Sequence, residues 1–235
     1  MLKKFCKFLL GLILVLALGV CGLFFGRGYL NYSSLTAEKS VDTCVQEVIS
    51  KSTYVSHDEI ADDLFRATVA IEDRRFYDHG GVDYIGLARA VVSQFDNNLL
   101  TSGGSTITQQ LAKNLYGQFN SGIGWKSTEY YIAKYLEKHY SKSDILTLYV
   151  NVINYGNNYT GIYEASIGYF GVTPENLTTA QCTILAGIPQ SPSNYELFNH
   201  FDNAKQKQKS VLKAMYECGY ITEDQIDSIY NDSVY

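Results

Sequence analysis

Glu72 ends an apolar helical stretch and opens the charged run Asp73, Arg74, Arg75, Asp78 and His79. A carboxylate there is a candidate acid or base. Taken alone it is better explained as a solvated turn of salt bridges, which is what charge clusters usually are. Thirty-odd residues on, Gly103-Gly104-Ser105 precedes a second polar set. On a helix starting near Ser105, the residues Thr106, Gln109, Gln110 and Lys113 share one face, while Ile107, Leu111 and Leu115 share another. One hydroxyl, two amides and an ammonium can hydrogen-bond a sugar and hold an anion. The two glycines allow a ligand close to the free amides of the helix N-terminus, where phosphate is favoured. A plain amphipathic surface helix would favour Glu and Lys over this Thr/Gln pattern. Glu129 stands in line with Ile132, Ala133 and Leu136, on the stripe that should face the core. A carboxylate there is expensive unless partnered, and Lys126, one turn earlier, is the candidate partner. A buried Glu–Lys pair can be purely structural, but perturbed acids in clefts are more often functional than surface ones.

The elements that must carry these residues are helical nearly everywhere. Ser56-x-x-Glu59 predicts a capping box, followed by Ile60, Leu64, Ala67 and Ile71 at helical spacing. Ile85, Ala88, Val91, Val92 and Phe95 extend the pattern into a second helix. Ser105 is the expected cap of the third, Ser141-x-x-Asp144 of another and Thr222-x-x-Gln225 of the last. Gly219 stands where a helix stop belongs, and Pro174, Pro189 and Pro192 fall in connections. No alternating strand and no repeat is visible, so the class is mainly α. The Gly, Asn and Ser content of residues 97–104 suggests a flap.

The chain has 235 residues and a net charge of -5, which argues against a nucleic-acid partner. Phe8 to Gly26 contains no charged residue and is long enough to cross a bilayer. Lys3, Lys4 and Lys7 precede it and Arg27 alone follows closely, which puts the N-terminus in the cytoplasm and the remainder outside. A cleaved signal peptide wants a shorter apolar run and a small-x-small site. A lipoprotein signal is hinted at by Leu18–Cys21, but Val20 is too bulky for one. An uncleaved anchor is the better reading. Three parts follow: a basic tip and anchor at 1–27, a juxtamembrane connector at 28–57 and a domain at 58–235. Of five cysteines, Cys44, Cys182 and Cys218 lie beyond the anchor with no CxxC, which reads as small buried thiols rather than a disulfide or zinc framework.

In order along the chain, EDRRFYDHGG (Glu72–Gly81), GGSTITQQLAKN (Gly103–Asn114), the stretch Lys126–Asn151 and LAGIPQSPSNY (Leu185–Tyr195) closely resemble the signature of the peptidoglycan glycosyltransferases, glycosyltransferase family 51. The resemblance runs from about Asp58 to Tyr220, and four ordered motifs make it very specific. It implies a lysozyme-like helical domain on a membrane anchor, in the cell membrane as a single-pass protein with its domain extracytoplasmic. The implied reaction joins lipid II units, or a growing glycan strand, into β-1,4 linked glycan with inversion and release of undecaprenyl pyrophosphate. By resemblance, Glu72 is the catalytic base and Glu129 the second essential acid. Asp73, Phe76, His79, Ser105, Thr106, Gln109, Gln110, Lys113, Asn114 and Lys126 are implied as substrate-binding. The family's Arg before Lys126 is replaced by Trp125, which leaves the leaving group to Lys113, Lys126 and Arg75. A divalent metal, magnesium or manganese, is compatible with a pyrophosphate leaving group, and no organic cofactor is implied. Ser210-x-x-Lys213 matches the bare pattern of a penicillin-binding nucleophile, but it has no KTG partner and reads as coincidence, so a monofunctional enzyme working beside a separate transpeptidase is expected. A lysozyme-like hydrolase or lytic transglycosylase, a non-catalytic cell-wall scaffold and an adaptor for division proteins are the alternatives. The hydrolase needs no phosphate-binding lysine face, the scaffold would have lost an acid, and the adaptor leaves the motifs unexplained.

Overall fold

The structure is a computed structural model and describes residues 2–93, 104–118 and 123–235. Most of the expected flap, 97–103, and Phe95 therefore lie outside the described residues, as does Gly103. The helices are α1 (Leu2–Glu38), α2 (Val41–Ile49), α3 (Asp62–Glu72), α4 (Tyr84–Ser93), α5 (Ile107–Leu115), α6 (Ile123–His139), α7 (Lys142–Val152), α8 (Ile162–Phe170), α9 (Thr179–Gly187), α10 (Pro192–Tyr195), α11 (Phe201–Glu217) and α12 (Glu223–Asn231). Among the described residues there is no strand, only an isolated bridge between Asn154 and Thr160. The protein is a mainly α, lysozyme-like helical domain with an apolar N-terminal helix.

Local signals explain most boundaries. Capping boxes start α7 at Ser141 and Asp144 and α12 at Thr222 and Gln225. Gly219, at φ 74°, takes the left-handed conformation that stops the chain after α11. The Ser56–Glu59 box caps a short 3-10 turn, His57–Glu59, and α3 begins three residues later. Cys44 and Cys182 are buried thiols, while Cys218 is half-buried.

One region differs from the sequence reading. Residues 28–57, expected as a connector, are built into the domain. The first helix runs unbroken past the apolar stretch to Glu38, and α2 follows with Ser40 as its cap. Val41, Cys44, Val45 and Val48 form a buried stripe at helical spacing. Val55 is clamped by Asn151, which accepts from its amide and donates to its carbonyl, both at 2.9 Å. The upper part of α1 lies along α6: Phe25 meets Tyr130 edge-on at 5.3 Å, and Tyr32 stacks on Tyr131 at 5.9 Å. Gly28 permits this approach, because a Cβ there would lie 2.4 Å from that of Ser127.

Two packing groups frame the cleft. In one, α5, α6 and α7 bury Ile107, Leu111, Ile132, Leu136, Ile145 and Leu148. In the other, α3 is pressed between α9 and α11 through small side chains, Ala67 and Ala70 against Ala186 and Ala214. Small residues let the backbones approach closely and fix the end of α3. Ala70→Leu would overpack that contact at a cost of about 1–3 kcal/mol.

Candidate active site

The first carboxylate closes α3 at the cleft wall. The Gln110 amide donates to Oε2 of Glu72 at 2.7 Å, and the Tyr149 hydroxyl donates to the amide oxygen of Gln110 at 3.1 Å. Tyr149 is fully buried in the core, so it fixes which way the amide points. Burial pushes the Glu72 carboxyl above the ordinary carboxylate range; the Gln110 hydrogen bond and the charge of Lys207 oppose that rise, and Asp73 adds to it.

Two clefts meet at this side chain. The first is lined by Glu72, Arg75, Asp83, Gly104, Ser105 and Thr106, among others. The second, about 290 Å³, is lined by Glu72, Ser105, Gln109, Gln110, Lys113, Lys126, Glu129 and Gln190, among others. Glu72, Gly104 and Ser105 are common to both.

The second acid is held differently. Glu129 is only 2% exposed and accepts from Lys126 at 2.6 Å. The same ammonium donates to the Ser105 hydroxyl at 3.0 Å, which ties α6 to the start of α5. The Lys126 side chain keeps 48% of its surface exposed, so its charge is presented to the cleft. Its neighbour Trp125 is 8% exposed and belongs to the core, so the position offers no cation to the cleft.

Several expected contact residues also brace the wall. Asp73, 6% exposed, accepts from the Ile107 amide at 3.0 Å and from Nε2 of His79 at 2.9 Å. It thereby satisfies a free amide at the start of α5 and fixes the His79 ring. Phe76 is fully buried, with the Lys142 ammonium 4.3 Å above its ring. Lys142 also donates to the His79 carbonyl at 2.7 Å, which closes the loop on itself. Thr106, not Ser105, caps α5: its hydroxyl accepts from the Gln109 amide and donates to the Gly81 carbonyl at 2.7 Å. The Gln109 side chain returns the capping bond to the Thr106 amide at 3.1 Å. Gly81 has φ 89°, a conformation natural to glycine, and a Cβ there would crowd the Ala133 carbonyl. Asn114 donates to the Gln110 carbonyl at 2.8 Å and does not line either cleft. Arg75 is engaged by Asp83 at 3.1 Å, and both line the first cleft.

Gln190 and Lys207 are functional candidates that the motifs did not single out. The Lys207 ammonium donates to the Gln190 side chain at 2.6 Å, and Gln190 lines the lysine-bearing cleft. Gln190 falls inside the LAGIPQSPSNY stretch; Lys207 carried no local signal that distinguished it from other helix-surface lysines. Among the described residues no group of three or more His, Cys, Asp or Glu side chains converges on a point that could hold a metal.

A family described as transglycosylase matches residues 39–216. Penicillin-binding protein 1A/1B of Bacillus subtilis is 38% identical over 195 residues, which is 83% of this chain and 21% of that protein. Penicillin-binding protein 1A of Aquifex aeolicus is 38% identical over 183 residues, 78% of this chain and 25% of its own length. A Cupriavidus necator protein whose name carries the word transglycosylase is 39% identical over 174 residues, covering 74% of this chain and 75% of that protein. The chain thus spans about a fifth to a quarter of the two penicillin-binding relatives and three quarters of the third.

Proposed function

Because the chain belongs to the transglycosylase family, we propose that it is a membrane-anchored peptidoglycan glycosyltransferase that polymerises lipid II into β-1,4 linked glycan. The observation that carries this reading is the setting of Glu72. Its carboxylate is oriented by an amide at 2.7 Å where two clefts meet, and one of those clefts bears Lys113 and Lys126. A polymerase needs that asymmetry: one side must stabilise a departing pyrophosphate and the other must hold a sugar hydroxyl.

In this reading the donor, lipid II or the growing strand on its lipid pyrophosphate, lies on the lysine side. The acceptor lipid II lies on the Arg75–Asp83 side. The 4-hydroxyl oxygen of the acceptor GlcNAc attacks the anomeric carbon of the donor MurNAc, and its proton passes to Glu72. The bond between that carbon and the pyrophosphate oxygen breaks with inversion, and undecaprenyl pyrophosphate leaves with the electron pair. Lys113 and Lys126 stabilise the charge that develops there, an effect that preorganised groups supply at no reorganisation cost. Glu129 holds Lys126 in place. His79 and Phe76 keep the loop after α3 in register, while Asp73, Thr106 and Gln109 both brace the walls and line the clefts. No step is routed through a metal.

The apolar N-terminal helix is long enough to cross a bilayer, with mean hydropathy 2.8 over its most apolar window. Together with the lysine bias it supports a single-pass anchor with the domain extracytoplasmic, where a separate transpeptidase would cross-link the product. The test is to incubate the full chain with purified lipid II and, separately, with finished glycan, resolving the products on gels. Ladder growth from lipid II supports the reading. Shortening of finished glycan without polymerisation would overturn it in favour of a hydrolase or lytic enzyme.

A further inference from the structure

Across the turn between α6 and α7, Glu137 and Lys142 form an ion pair at 2.8 Å whose side chains keep only 10% and 23% of their surface exposed. Each charge stands at the unfavourable end of its own helix. Glu137 lies in the last turn of α6, where the helix dipole disfavours an anion. Lys142 is the first residue of α7, where the dipole disfavours a cation. Covering the pair adds a desolvation cost that the attraction between the two charges does not reliably repay. Local stability therefore does not account for them. Nor does substrate contact, since neither residue lines either cleft.

Their partners do account for them. The Lys142 ammonium donates to the His79 carbonyl at 2.7 Å and lies 4.3 Å above the Phe76 ring, so one group grips the loop after Glu72 at two points. Oε1 of Glu137 receives both Lys142 and the Thr108 hydroxyl, the latter at 2.6 Å, and Thr108 is fully buried on α5. The Glu137 stem also packs on the end of the loop, where a Cβ on Gly81 would lie 3.1 Å from its Cγ. The circuit closes on the other side. Asp73 accepts from the Ile107 amide and from His79, and the Thr106 hydroxyl donates to the Gly81 carbonyl. In this way the end of α3, which carries Glu72, is fixed to α5, which carries Gln110 and Lys113, and to α6, which carries Lys126 and Glu129.

We propose that Glu137 and Lys142 are positioning residues for the reaction: together they clamp the loop after Glu72 against α5 and α6, and so set where that carboxylate stands relative to the lysines of the second cleft. They act from behind the wall, through His79, Phe76 and Thr108, without touching the substrate. The proposal rests on the reading of Glu72 as base and of Lys113 and Lys126 as the leaving-group cations.

The experiment measures kcat and KM for lipid II polymerisation by the full chain, with melting followed through the fluorescence of Trp125, its single tryptophan. Lys142→Met alone strands a covered carboxylate and should melt early. The variant that decides is the neutral pair, Glu137→Gln with Lys142→Met, which strands no charge and keeps an acceptor for Thr108. Removing both charges of a covered pair is often neutral or stabilising, so its melting temperature should match or exceed that of the wild type. Assayed well below that temperature, its kcat should fall by about tenfold, inside the roughly 10²-fold loss that a misplacement of about 1 Å can cause. KM should be unchanged, the mark of an interaction expressed in the transition state. Thr108→Val should give the same kcat-only loss, and the two losses should combine to less than their product because both cut one circuit. Lys142→Arg, which keeps the charge and its donors, should recover most of the rate.

A folded neutral pair with wild-type kcat would overturn the proposal, as would a raised KM at unchanged kcat or a full product of losses with Thr108→Val. A neutral pair that does not fold would overturn it too, because the two charges would then hold the fold rather than the cleft. Glu72→Gln keeps the two levels apart. If it is inactive while the neutral pair runs at the wild-type rate, only the positioning role fails; if it polymerises normally, the assignment of the base fails first.

Discussion

Glu72 and Glu129 line the same cleft and are treated in opposite ways. Glu129 is given a direct ammonium at 2.6 Å and is almost wholly covered. Glu72 is given a neutral amide at the same range, and burial pushes its carboxyl up. A direct ion pair neutralises a carboxylate and makes it a poor proton acceptor; a desolvated carboxylate held at contact distance by a neutral amide is a stronger base. The difference teaches that two acids in one cleft need not be an acid–base couple. On the proposed reading, one moves a proton and the other holds a cation.

Glu72→Gln should have the greatest effect of any single variant. Polymerisation of lipid II should fall by at least about 10²-fold, the scale of general-base catalysis, with the melting temperature unchanged or raised because a neutral amide is easier to bury than a carboxylate. Near-normal synthesis would dissolve the distinction and send the search to Asp78, since Asp73 is committed to Ile107 and His79. Next in size is Lys113→Ala, which should lower turnover by about 10- to 100-fold, the equivalent of one charged hydrogen bond of about 1.5–3 kcal/mol. A folded variant with unchanged turnover would move the leaving group elsewhere.

Glu129→Gln should be milder in rate, about tenfold, and should be the one of the two acid variants to lose stability. The expected loss is about 1–2 kcal/mol, read by thermal melting and kept modest because Lys126 is half exposed. Equal melting curves for the two acid variants would remove the contrast. The smallest effect is in pH. Glu72 must be ionised to accept a proton, so activity should be lost as pH falls through its raised pKa, with an acid limb above 4.5, the ordinary value for a glutamate. Stability runs the other way. The folded state holds this proton more tightly than the unfolded chain does, so the contribution is present below about pH 4.5 and fades as pH rises through the folded pKa. A denaturation series in pH on wild type and Glu72→Gln should differ in that window.

The parts of the fold legible in the sequence were those with local causes. The capping boxes at Ser141 and Thr222 and the stop at Gly219 need only neighbouring residues, and they formed as expected. The cap of α5 is Thr106 rather than Ser105, both good capping types; Gln109, three residues after Thr106, is the signal that decides between them. Residues 28–57 were underrated for a different reason. Their contacts are aromatic, with Tyr29 and Tyr32 against Tyr131, so hydropathy contrast along the helix is weak. The stripe of Val41, Cys44, Val45 and Val48 at helical spacing is legible in the sequence. Within the site, Glu72, Lys126 and Glu129 line one cleft. The contacts of Asp73, Phe76 and Thr106 were not legible from residue type, because their partners, Ile107, Lys142 and Gly81, are brought to them by the tertiary fold.

The unbroken run of α1 from Leu2 to Glu38 has a mechanical meaning. With the proposed anchor in a bilayer, the domain is mounted on a rigid strut, because the upper turns of that helix are the same ones that lie along α6. Height and heading are then coupled. Each residue inserted below Phe25 would lift the cleft by about 1.5 Å and swing its mouth by about 100° around the membrane normal. A lipid-borne substrate reaches the enzyme only from the plane of the membrane, so the length of this helix works as a gauge that sets both where the cleft opens and which way it faces.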